Sequence, residues 1–95
     1  MMITVARFGD YIPKEEGTSW LNERYVFQFP NGYGASVIRS PYSYGGPDGL
    51  YELAVLKNGK INYKTPITDD VVGWLTPDEV TELLGQIQAL PGKKK

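Results

Sequence analysis

"RYVFQFPNGYGASVIR", residues 24–39, decides the fold. Two apolar-rich runs flank the pair Asn31-Gly32. Asn-Gly tolerates positive φ at both central positions of a type I′ turn, whose twist matches that of the strands it joins. The segment is therefore predicted to be a β-hairpin. A two-residue loop would set its register, so that Val26 faces Val37, Tyr25 faces Ile38, and Phe29 covers the bare backbone of Gly34. Gly32-Tyr33-Gly34 could also be read as the start of a phosphate-binding loop. That reading lacks its third glycine, and the residues that follow alternate as a strand instead of opening a helix.

A second pair, Asn58-Gly59, separates "LYELAVLK" from "KINYK" and predicts a second hairpin. Its register puts Leu56 opposite Ile61, Ala54 opposite Tyr63, and Lys57 opposite Lys60. Upstream, "ITVARF" (residues 3–8) alternates and predicts another strand. Between it and the first hairpin, "GDYIPKEEGTSWLNE" reads as a long polar connection anchored on the core by Trp20 and Leu21.

Downstream, Thr76-Pro77-Asp78-Glu79 combines an N-cap hydroxyl, a proline at the first helical position and a glutamate at N3. Leu75 and Val80 can close a hydrophobic staple around that cap. Val80, Leu83, Leu84, Ile87 and Leu90 then recur at helical spacing, and Pro91-Gly92 ends the run. Just before it, Thr68 to Gly73 reads as one short helical turn, with Trp74 joining the core. The expected fold class is α+β: an antiparallel meander of four to five strands, two Asn-Gly hairpins, and one C-terminal amphipathic helix packed on one face. Residues 1–92 are expected to form one domain, with 93–95 as a disordered basic tail.

The composition excludes several chemistries. The 95 residues include no cysteine and no histidine. Disulfides, thiolate nucleophiles and histidine-based triads are therefore impossible within these residues, and a zinc ion would find only carboxylates. No cofactor or metal is expected, and enzyme activity ranks last among the functions considered. Formal charge is −1, but three of the ten basic residues are the terminal Lys93, Lys94 and Lys95. Residues 1–92 carry seven basic against eleven acidic groups, a net −4, which disfavours phosphate backbones. No apolar run approaches the ~18 residues of a membrane span, and the first residues lack a secretory-signal pattern, so a cytoplasmic setting is expected. Asp69-Asp70 reads as a helix start, because adjacent carboxylates seldom converge on one proton or metal. Tyr25, Phe27 and Phe29 share a strand face and read as core; only Arg24 and Arg39 lie close enough in sequence to support a base-stacking platform.

The stretch "SPYSYGGPDG" (residues 40–49) is longer than an ordinary strand connection. Tyrosine offers broad contact area at low entropic cost, and serine and glycine let a backbone adapt, as in binding loops. The competing reading folds Tyr42 and Tyr44 back over the sheet edge. The candidate surface comprises Tyr42, Ser43 and Tyr44, with Arg39, Tyr51, Glu52 and Tyr11 as neighbours.

The segments "FPNGYGASVIR", "SYGGPDGLYELAVL" and "TPITDDVVGWLTPDEV" together resemble small uncharacterised proteins encoded by tailed phages and prophages. The resemblance covers roughly residues 24 to 90. It implies the cytoplasm of an infected or lysogenic bacterium as the setting, and it brings no functional residue with it. Residues and resemblance together lead to the expectation of a small non-enzymatic protein-binding module, one by which a phage modulates a host process. Two alternatives stand beside it: a nucleotide-type ligand held between sheet and helix, and a minor structural or assembly protein acting as a homo-oligomer.

Overall fold

The computed structural model describes residues 8–19, 22–58, 60–61 and 71–91. Within them lie β1 (Glu15–Ser19), β2 (Asn22–Gln28), β3 (Tyr33–Arg39), β4 (Tyr51–Lys57), β5 (Lys60–Ile61), β6 (Val72–Leu75) and one helix, α1 (Pro77–Gln88). The strands β1 to β5 form an antiparallel meander in sequence order, and β6 pairs with the other half of the β4 edge. The helix packs across β3, β4 and β6. The fold is α+β, as the two hairpins and the capped helix predict.

The first hairpin turns where expected but by a different route. Gly32 N donates to Phe29 O (3.1 Å) and Phe29 N donates to Tyr33 O (2.8 Å), closing a three-residue loop over Pro30, Asn31 and Gly32. Pro30 supplies the fixed φ that suits the second position of a type I turn, and Gly32, at φ 90°, takes the left-handed position after it. The extra residue slips the register by one. Tyr25 faces Val37, Val26 faces Ser36, and Gly34 faces Gln28, not Phe29. A Cβ on Gly34 would collide with the Phe27 carbonyl oxygen, so close backbone approach, not ring cover, is what requires glycine there.

That register assembles the core. Tyr25, Phe27 and Phe29 share a buried face with Ala35, Val37, Tyr51, Leu53 and Val55, and Val80, Leu84 and Ile87 of α1 close over it. Phe8 fills the centre, edge-on to Tyr25 (5.4 Å between ring centroids), Tyr51 (5.3 Å) and Phe27 (5.9 Å). The α1 stripe is as the spacing predicts, with Leu83 and Leu90 at its half-buried margin. The capping box is complete: Glu79 N donates to Thr76 Oγ1 (3.2 Å), and Thr76 N donates to Glu79 Oε1 (2.9 Å). At the other end, Asn31 Nδ2 donates to the carbonyls of Ile87, Gln88 and Leu90.

Three expectations are corrected. Residues 15–19, read as connection, pair with β2 as an edge strand; their charged, glycine-containing sequence lacks apolar alternation but supplies the backbone groups that a ladder needs. Val72 and Gly73 are not the end of a helical turn but the start of β6. Trp74 is not core: it is 58% exposed. In the second hairpin Leu56 faces Ile61 and Lys57 faces Lys60, as the two-residue loop requires. The expected strand at residues 3–7, the anchors Trp20 and Leu21, the Ala54–Tyr63 pair, Thr68 to Asp70 and the lysine tail lie outside the described residues.

Candidate functional site

Residues 40–49 are held as a rigid arch. Ser43 is buried, and its hydroxyl accepts from Ser40 N (2.9 Å) and donates to Ser40 O (3.1 Å). Gly46 N then donates to Ser43 O (3.0 Å), and a 3-10 turn over Gly46–Asp48 returns the chain through Gly49 N to Gly46 O and Leu50 N to Gly45 O (both 2.9 Å). Gly45, at φ 88°, and Gly46 have no room for a Cβ, which would meet Trp74 backbone and Ser40 O respectively. Ser43 is therefore the internal strut of the loop and not part of a contact surface.

The arch is fastened to β6 at a bulge. Between the Tyr51–Leu75 and Leu53–Val72 pairs, Gly73 and Trp74 on β6 stand against Glu52 alone on β4. Trp74 N donates to Tyr44 O (3.2 Å), Tyr44 N donates to Glu52 Oε1 (2.8 Å), and a Cβ on Gly73 would collide with Tyr44 Cβ. At the bulge Trp74 takes φ 54°, a left-handed conformation that disfavours bulky side chains. Its indole turns outward and stacks on Tyr44, with centroids 5.6 Å apart and planes 21° from parallel. Tyr44 is 55% exposed and Tyr42 95%, so neither ring covers the sheet edge. Trp74 is the surface residue that the sequence reading missed. The signal was Gly73: an isolated glycine beside strand-forming residues marks a bulge, which re-aims its neighbour.

Beneath the arch a polar cluster seals the end of the core. The Glu23 carboxylate accepts from the Tyr25 hydroxyl (2.8 Å) and the Tyr51 hydroxyl (3.1 Å) and forms an ion pair with Arg39. Arg39 also lies over the Tyr51 ring, 5.0 Å from its centroid, and donates to Gly49 O (3.2 Å). Burial pushes the Tyr51 phenol up to about 12; the Glu23 carboxylate adds to this and Arg39 opposes it. For Arg39, burial disfavours the charged form, but the Glu23 bond, Tyr51 and Tyr25 more than offset it, and its pKa is raised. An open cavity of about 550 Å³ sits beside this cluster, lined by Glu23, Arg39, Pro41, Gly46 and Pro47 among others. The charged groups that line it are already engaged with one another.

Of the seven candidate residues, Tyr42 and Tyr44 lie on an exposed surface, and Glu52 and Arg39 support it from below. Tyr51 is corrected to a core position: it is 3% exposed because it shares the inward face of β4 with Leu53 and Val55. Tyr11 is corrected too. It stands edge-on to Phe29 (5.8 Å) on the far side of the core, and its hydroxyl lies beside Gly85 of α1. Among the described residues, no helix is long and apolar enough to cross a membrane. No family model matches the chain, and no curated protein or solved structure matches it.

Proposed function

We propose that the protein is a non-enzymatic protein-binding module that presents Tyr42, Tyr44 and Trp74 to a partner. The observation that carries this reading is the exposure of three large aromatic side chains, two on the arch and Trp74 on the β6 bulge hydrogen-bonded to it. Each such ring buries ~150–250 Å² when covered, and large aromatics dominate interface energetics. Bracing by Ser43, Glu52 and the glycines lowers the ordering cost of binding, because the contact surface is formed beforehand. The strain at Trp74 supports the same reading: an outlier backbone under an exposed indole does little for the core, and such outliers concentrate at functional sites.

The setting follows from the resemblance to phage and prophage proteins: a partner among host proteins, in the host cytoplasm. The test is affinity capture from bacterial lysate with the wild type and the Tyr42→Ala/Tyr44→Ala double variant. The expected result is loss of a specific partner from the variant with thermal unfolding nearly unchanged. Equal capture by both proteins would overturn the proposal.

A further inference from the structure

We infer that the arch takes a cationic side chain, a lysine or arginine on a basic segment of its protein partner, held over the outer faces of the Tyr44–Trp74 stack and Tyr42. The inference rests on the binding surface proposed above and names the chemistry of what that surface accepts. An aromatic ring attracts a cation over its face when the two lie within ~6 Å, and tryptophan does so best. The chain already uses this contact internally, with Arg39 over Tyr51 at 5.0 Å and Lys57 over Tyr33 at 5.5 Å.

Charge selects the sign of the guest. Three carboxylates belong to the elements that carry or adjoin the rings. Glu52 bonds to the amide of Tyr44 itself, Asp48 lies in the 3-10 turn of the same arch, and Asp78 occupies the first turn of α1, just past the strand that ends beside Trp74. The described cations are elsewhere or engaged. Arg39 is ion-paired with Glu23 and Arg24 with Glu15. Lys57 and Lys60 face each other at the opposite end of β4, and Lys14 adjoins β1 across the sheet. An anionic guest would therefore meet like charges, and a neutral apolar one would forgo the attraction that the carboxylates offer. A basic segment satisfies both the rings and the acids.

The test is a titration of the labelled protein with short lysine-glycine, arginine-glycine and glutamate-glycine peptides, read at the Trp74 indole N–H resonance. The two basic peptides are expected to shift it saturably and the acidic one not at all, with binding weakened by rising salt. Trp74→Ala should weaken the basic peptides by about three- to thirty-fold, read from other resonances of the arch. Asp48→Asn/Asp78→Asn should also weaken them while leaving the aromatic resonances in place. Equal response to acidic and basic peptides, or response to none, would overturn the inference. If the peptides fail but Tyr42→Ala/Tyr44→Ala still loses its captured partner, only the cationic guest falls. If capture too is indifferent to that variant, the surface falls with it.

Discussion

Asn31, in the tip of the first hairpin, donates through Nδ2 to the carbonyl of Ile87, 3.0 Å away and 56 residues further along the chain. The same amide reaches the carbonyls of Gln88 and Leu90, while its Oδ1 accepts from Tyr33 N (2.9 Å). One side chain thus shapes the turn and adds a donor to carbonyls at the helix end, of which that of Ile87 also accepts from Leu90 N (3.1 Å). It also ties the two ends of the fold together. Asn31→Ala should cost about 1–3 kcal/mol, since it strips partners from several backbone groups at once. Asn31→Asp keeps the acceptor for Tyr33 but sets a negative charge against the helix C-terminus, and should be at least as destabilising. Thermal unfolding checks both, at ~4–8 °C per kcal/mol for a domain of this size. An aspartate variant as stable as wild type would show that the amide donors contribute nothing.

The Glu23 cluster predicts an alkaline limit to stability. The Tyr51 pKa is raised to about 12 from an ordinary 10. The unfolded chain therefore releases this proton at lower pH than the folded one. The stabilisation is fully present below pH ~10 and is lost as pH rises through about 12. Its full size is on the order of 2–3 kcal/mol. Denaturant midpoints of wild type and Tyr51→Phe should therefore converge across that window, because the variant has no phenol to titrate. Parallel curves would sever the link. Glu23→Ala should be costly at neutral pH, as it removes the shared acceptor of two phenols and the counter-ion of Arg39; about 2–4 kcal/mol is expected.

The helix was legible because its signals are local: cap, N1 proline, N3 glutamate and apolar stripe all fall within Leu75 to Leu90. The hairpins were legible as positions but not as turn types. Two features of residues 30–32 decide the first turn, the fixed φ of Pro30 and the left-handed Gly32, and Asn-Gly alone announces only the second. One residue of slip then re-pairs every side chain on β2 and β3. The edge strand β1 was invisible because Glu15-Glu16-Gly17-Thr18-Ser19 has no apolar alternation: it pairs through its backbone ladder, with the exposed Arg24–Glu15 ion pair beside it. The Glu23 cluster was within reach, since alternation puts Glu23 on the face of Tyr25 and Phe27, and Tyr51 on that of Leu53. The stack of Trp74 on Tyr44 was not: it joins a loop to a bulge thirty residues away, and no periodicity encodes that.

The glycine at position 34 offers a sharp check of the register. Since a Cβ there would run into the carbonyl of Phe27, Gly34→Ala forces β2 and β3 apart at the point where the hairpin closes. The expected loss is ~1–3 kcal/mol, as for overpacking elsewhere, with amide exchange rising first at Phe29 and Tyr33. Under the register in which Phe29 covers Gly34, alanine would instead be accommodated, so a variant as stable as wild type would point back to the two-residue turn.

Trp74 separates stability from function most cleanly. Holding a non-glycine residue in the left-handed region costs ~1–2 kcal/mol, which glycine would relieve. Against that, Trp74→Gly forfeits the Tyr44 stack, about 0.5–1.5 kcal/mol, and adds backbone freedom to the unfolded chain worth roughly 0.5–1 kcal/mol. These terms nearly cancel, so the variant should unfold within about 1 kcal/mol of wild type. Its bond from the position 74 amide to Tyr44 O needs no side chain, so the arch should keep its course. Partner capture should nevertheless be lost, since the largest ring of the surface is gone. A strongly destabilised Trp74→Gly would mean that the indole belongs to the scaffold, and a stable variant that still captures its partner would remove Trp74 from the binding surface.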